Sequence, residues 1–188
     1  MRVFAALPLP PHAKRDVEGV IESLRQRHPR LRYVKPSGMH ITLHFFGELG
    51  ESAVSGLRRI WKDPELCVPD IPASLGGLGQ FPERGNPRVV WIGVDEGKYE
   101  LTRYAGLFAR KIAPLGYAPD PRGFSPHITL ARNSGERPGA DWLQDVSVPA
   151  TVFSFQECVL FQSILEPGGA EYVPLCGVTF KRTSDASS

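Results

Sequence analysis

The chain has 188 residues, 41% hydrophobic and 22% charged, the profile of an ordinary globular protein large enough to bury a substantial core. Lysine and arginine number 22 against 20 acids, a formal charge of +2, so there is no chain-wide attraction to a polyanion or an acidic membrane and any such contact has to be local. Cys67, Cys158 and Cys176 are odd in number, far apart and in no C-x-x-C pair, which argues against a disulfide framework or a zinc knuckle and suits a reducing cytoplasm.

The apolar opening at 3–9 is stopped by Pro10, Pro11 and the basic Lys14 and Arg15. It is too short for a secretory signal or a membrane span and predicts a first strand. Val17, Val20, Ile21 and Leu24 then recur at helical spacing, predicting an amphipathic helix over 11–27 that His28 and Pro29 end. Strands follow at 31–34 and 39–46, and a second helical pattern carries Val54, Leu57, Ile60 and Trp61. The same grammar returns as a strand at 73–78, a β-rich run at 88–94, a helix over 99–112 and a strand at 127–131. Segments 152–165 and 172–180 predict a final hairpin about Pro167, Gly168 and Gly169. Gly76, Gly77 and Gly79 lack the lysine and spacing of a phosphate loop and predict a bend or loop. Short-range alternation with hairpin joins predicts an α+β fold of two pseudo-symmetric lobes, each an antiparallel or mixed sheet with helices outside. A doubly wound parallel sheet is the competing arrangement.

The tetrapeptide His-Ile-Thr-Leu occurs twice, at 40–43 and 127–130. By composition alone a matched pair arises on the order of one time in a hundred. On a strand, His and Thr two apart project from one face while Ile and Leu project from the other, so each copy has a chemical side and a core side. In-line displacement at phosphorus needs a base and an acid on opposite sides of the phosphoryl group, and two strands from two related lobes supply that pair. Histidine titrates in the right range for both tasks, and each threonine hydroxyl can donate to a non-bridging oxygen. The scheme needs neither metal nor cofactor.

Around these motifs stand Arg2-Val3-Phe4-Ala5-Ala6-Leu7-Pro8, Phe45-Phe46-Gly47-Glu48, Pro87-Arg88-Val89-Val90-Trp91-Ile92-Gly93-Val94, and Ser125-Pro126 before the second copy with Ala131-Arg132 after it. With them, almost the whole chain resembles the 2H phosphoesterases, specifically the RNA 2′,3′-cyclic phosphodiesterases also called 2′-5′ RNA ligases. The resemblance implies a single bilobal domain over 1–188 with an active cleft between the lobes. It implies hydrolysis of 2′,3′-cyclic phosphate RNA ends or cyclic nucleotides to 2′-phosphomonoesters. The expected protein is a cytoplasmic monomer with no membrane association. His40 resembles the proton donor to the leaving 3′-oxygen and His127 the base that activates water. Thr42 and Thr129 resemble the phosphate-binding hydroxyls, and Arg132 a basic substrate-binding position. Strict alternation would put Arg132 on the face opposite Thr129, so that role requires the strand to end or bulge. RNA 2′-5′ ligation at the same cleft and a catalytically silent RNA-binding module are the alternatives. Tyr33, where the family often has Trp, and Gln162-Ser163-Ile164-Leu165, in place of a Glu-Ser-Arg-Leu-like run, depart from the pattern at substrate walls.

Weaker signals remain. Arg25, Arg27, His28, Arg30, Arg32 and Lys35 form a basic run without an acid, which an RNA backbone or a solvated helix end explains equally well. His40 and His44 have zinc spacing only on a helix, and the pattern there is β. Alternation would put His44 on the His40 face, as a cleft wall. Phe124 suits core packing better than base stacking.

Overall fold

A computed structural model describes residues 1–133, 135, 142–166 and 169–183. The chain runs β1 (Arg2–Pro8), α1 (Pro11–Arg27), β2 (Arg32–Tyr33), β3 (His40–Glu48), α2 (Glu51–Ile60), β4 (Ile71–Phe81), β5 (Val89–Val94), α3 (Lys98–Ile112), β6 (His127–Arg132), β7 (Val152–Phe155), β8 (Glu157–Glu166) and β9 (Gly169–Thr179). Proline at the first position of α1 needs no N–H partner there, and the 3.6-residue spacing of Ala13, Val17, Val20, Ile21 and Leu24 buries one face. In β1 the two-residue alternation sends Val3, Ala5 and Leu7 into the main core, leaving Phe4 and Ala6 on the other face of the sheet.

All strands join one sheet in the order β7-β4-β5-β6-β3-β1-β8-β9, with β2 on β6, and each neighbouring pair is antiparallel. The doubly wound parallel alternative is excluded. The sheet has two four-stranded leaves, β7-β4-β5-β6 and β3-β1-β8-β9, which meet through one paired position, Ile41 with Ile128. A β-α-β unit builds the centre of each leaf, β1-α1-β3 in one and β5-α3-β6 in the other, and an antiparallel strand completes each, β8 beside β1 and β4 beside β5.

The helices tie the leaves together. Thr151, just before β7, donates to Asp16 of α1 at 2.7 Å. On α3, Phe108 packs against Trp61 and Tyr104 against Phe180, while the Trp61 indole N–H donates to the Cys158 carbonyl of β8 at 2.9 Å.

Two expectations need correction. Residues 152–165 form two strands, because the alternation slips by one at Gln156: Phe153 and Phe155 are buried before it, Cys158 and Leu160 after it. The slip sends β7 to β4 in one leaf and β8 to β1 in the other. The β8–β9 hairpin forms as expected, pairing Glu166 with Gly169; Pro167 and Gly168 lie outside the described residues. Gly76, Gly77 and Gly79 are not a loop but lie within β4, where an irregularity in register between Leu75 and Leu78 accommodates them.

Candidate active site

The central pairing fixes the arrangement of the two motifs. With Ile41 opposite Ile128 in an antiparallel pair, Thr42 falls opposite His127 and His40 opposite Thr129. Ile41, Ile128 and Leu130 are buried in the core, so the two histidines and two threonines share the opposite face. His40 and His127 are diagonal neighbours across the pair, a separation of roughly 7 to 8 Å that imidazoles bridge easily. The electrostatic effect of His127 on His40 accords with that proximity.

Each ring is held by the backbone two residues before it. The His127 Nδ1 lies 2.8 Å from the Ser125 carbonyl, and the Gly38 carbonyl holds the His40 ring in the same way. A carbonyl can only accept, so Nδ1 of His127 carries the proton and Nε2 keeps its lone pair in the neutral ring. The His40 Nε2 lies 3.1 Å from Thr42 Oγ1.

Aromatic rings from other strands surround both histidines. Phe4 of β1 lies 4.9 Å from His40 between centroids, Tyr172 of β9 5.4 Å and Phe161 of β8 6.5 Å. In the second leaf Phe81 of β4 and Trp91 of β5 lie 5.1 and 6.1 Å from His127. Gly79, paired with Trp91 across β4 and β5, makes room for the indole, since a Cβ there would collide with the ring. Loss of water contact disfavours imidazolium and pushes His40 down to about 4, helped by the His127 charge and opposed by the Gly38 carbonyl. His127 is lowered too, for the same leading reason and against its bond to Ser125.

Bulges decide which other residues join this face. In β6 Val90 pairs with Ala131 but Trp91 pairs with Thr129, leaving Leu130 as the extra residue. The face therefore changes after Thr129: Ala131 points to the core with Val90, and Arg132 emerges opposite Val89 on the same side as Trp91 and Thr129. The condition set by alternation for Arg132 is met by the bulge. A second bulge corrects the reading of His44. Ala5 pairs with His44 and Ala6 with Thr42, so Leu43 is extra and His44 leaves the strand face of His40, yet it still lines the cavity that Thr42 and His127 line, as a wall residue. Burial lowers its pKa against the pull of Asp120, and it packs near Phe46 and Tyr117.

Thr42 and His127 open onto a cavity of about 900 Å³ also lined by Phe124, which packs partly against the core. Among the described residues, no group of three or more His, Cys, Asp or Glu is placed to hold a metal ion, and no helix is long and apolar enough to cross a membrane. Sequence reasoning missed Gly38, Gly79, Phe81, Trp91, Phe161 and Tyr172 as parts of the histidine surroundings. A small residue two before each histidine was the one local signal available; the rings come from strands distant in sequence.

Paired His-x-Thr strands meeting at the waist of a two-leaved antiparallel sheet define a class. Residues 9–162 match the model of the 2′-5′ RNA ligase superfamily, and the chain belongs to that superfamily. It is 33% identical over 177 residues to the RNA 2′,3′-cyclic phosphodiesterase of Archaeoglobus fulgidus, covering 93% of this chain and 98% of that one. The Escherichia coli protein of the same name is 28% identical over 181 residues, 93% of each chain. Among solved structures, TT0787 of Thermus thermophilus is similar with a TM-score of 0.79 at 26% identity, over 95% of this chain and 97% of that one. The corresponding values for E. coli LigT complexed with 3′-AMP are 0.69 and 26%, over 95% and 96%.

Proposed function

We propose that the protein hydrolyses 2′,3′-cyclic phosphate ends of RNA, or the corresponding cyclic nucleotides, to 2′-phosphomonoesters. The observation that carries this reading is the antiparallel meeting of the two His-Ile-Thr-Leu copies, with each histidine opposite the other copy's threonine. The names of the Archaeoglobus fulgidus and E. coli relatives support it.

In this mechanism Nε2 of His127 takes a proton from water as the water oxygen attacks phosphorus. The bond from phosphorus to the 3′-oxygen breaks, and His40 gives that oxygen its proton, leaving the phosphate on the 2′-oxygen. The Thr42 and Thr129 hydroxyls donate to the non-bridging oxygens as charge builds there, and Arg132 is a substrate-binding cation. His40 is mostly neutral near pH 7 in the free protein, since burial depresses its pKa to about 4. A seated phosphate anion favours imidazolium, so the substrate itself helps to charge the acid.

No step requires a metal. The reading extends to a monomer in the cytoplasm, a compartment that suits three free thiols, and to residues 1–188 as a single bilobal domain, supported by the shared sheet.

Incubation with adenosine 2′,3′-cyclic phosphate in excess EDTA tests the proposal, with phosphorus NMR identifying the product. Adenosine 2′-phosphate is expected. Activity lost to chelator overturns the metal-free scheme, a 3′-phosphate product reverses the assignment of the leaving oxygen, and binding without turnover identifies a silent RNA-binding module.

A further inference from the structure

The short strand β2 brings a second arginine to the end of β6. Arg32 pairs directly with Arg132, and Tyr33 with Ala131. Ala131 is buried in the core and Tyr33 packs partly against it, so Arg32 and Arg132 emerge together on the opposite face, that of Thr129 and Trp91. Both arginines are exposed.

Like charges directly opposite one another across an antiparallel pair repel. Elsewhere in the basic run acids compensate: Arg25 pairs with Glu22 at 3.1 Å and Arg27 with Asp145 at 3.4 Å. Among the described residues, neither Arg32 nor Arg132 has an acidic partner or a side-chain hydrogen bond; their direct pairing sets them side by side, and the Leu130 bulge brings the pair to the face of Thr129. Two uncompensated guanidinium forks on one face make a site for an anion with several acceptor oxygens. Arg132 stands three residues beyond Thr129, roughly 7 to 10 Å along the strand. One nucleotide step of a sugar-phosphate chain spans such a distance.

We propose that Arg32 and Arg132 together bind the phosphate on the 5′ side of the terminal nucleoside, so that the site prefers RNA ends to bare cyclic mononucleotides. The inference rests on the phosphodiesterase reading above and adds the part of the substrate that this second position recognises.

The test compares two substrates that differ by one group: adenosine 2′,3′-cyclic phosphate with and without a 5′-phosphate. The wild-type protein should show a kcat/KM about ten-fold or more higher for the 5′-phosphorylated compound, mainly through KM, with a preference that shrinks as salt rises. R32Q should lose most of that preference, and R32K should recover part of it, because Lys keeps the charge but not the planar fork. Wild-type hydrolysis of both compounds without preference overturns this inference alone and requires no variant. Equal loss on both substrates in folded R32Q overturns it too, assigning Arg32 to the cyclic phosphate or to the fold. Wild-type protein that hydrolyses neither compound overturns the phosphodiesterase reading and this inference with it.

Discussion

The two copies of His-Ile-Thr-Leu are identical in sequence and unequal in setting. His40 sits among Phe4, Phe161 and Tyr172 with its Nε2 on Thr42, and its pKa is pushed down to about 4. His127 meets Phe81 and Trp91, is anchored through Nδ1 to Ser125, and is also lowered. Four identical residues therefore do not fix proton affinity; the neighbouring strands do, and they differ between the leaves. Unequal surroundings can give one residue type two proton-transfer roles, which an acid and base pair requires.

The comparison can be broken most severely by deleting either ring. His40→Ala or His127→Ala should each reduce kcat by about 10²- to 10⁴-fold, and the double variant should fall far short of the product of the two losses, because the rings act as a unit. Steady-state kinetics on a cyclic nucleotide checks both points. Removing one hydroxyl, Thr42→Val or Thr129→Val, should cost on the order of 1 to 3 kcal/mol of transition-state stabilisation, since each loses one hydrogen bond to a charged oxygen. Loss as complete as in the histidine variants would give the hydroxyls a chemical role.

Gly79→Ala tests the second leaf alone. The added Cβ would collide with the Trp91 indole, so the ring must shift beneath His127, at a cost of about 1 to 3 kcal/mol of stability. Thermal unfolding should register the cost, and the His127 titration should move in NMR while that of His40 stays near its wild-type position.

The smallest effects concern pH. Both histidines titrate below their usual value of about 6.5, so the bell-shaped kcat/KM profile of the intact protein should centre on the acid side of 6.5. Its limbs belong to the coupled pair and not to either ring. Tyr172→Leu should admit water to His40, raise its pKa and draw the profile toward neutrality. The same shifts affect stability. A lowered folded pKa means the unfolded chain binds more protons, so the contribution is full above about 6.5 and is lost as pH falls toward about 4. His40→Asn should narrow the difference between unfolding temperatures measured at pH 7 and pH 4.5.

Much of this was legible in the sequence. The α1 periodicity set its limits at Pro11–Arg27, and the repeated tetrapeptide marked the two strands that meet at the waist of the sheet. The histidine surroundings were not legible, because Phe161 and Tyr172 reach His40 through pairings more than a hundred residues distant in the chain. Alternation also fails silently at a bulge. One extra residue, Leu43, turned His44 off the strand face of His40, and another, Leu130, brought Arg132 round to Thr129. Neither leucine differs in type from an ordinary strand residue.

The order in which the strands join the sheet has a consequence for how the molecule is made. β1 is flanked by β3 on one edge and β8 on the other, so its second edge stays unpaired until residues 157–166 have been translated. The second leaf, by contrast, draws all of β4, β5, β6 and β7 from the interval 71–155. Although domains emerging from the ribosome generally fold with their N-terminal parts first, here the later leaf can assemble while the earlier one waits with an open edge. Closing that edge late carries the loop-entropy cost of long-range pairing, and until β8 arrives the β1 edge presents unpaired backbone groups of the kind that other strands can join.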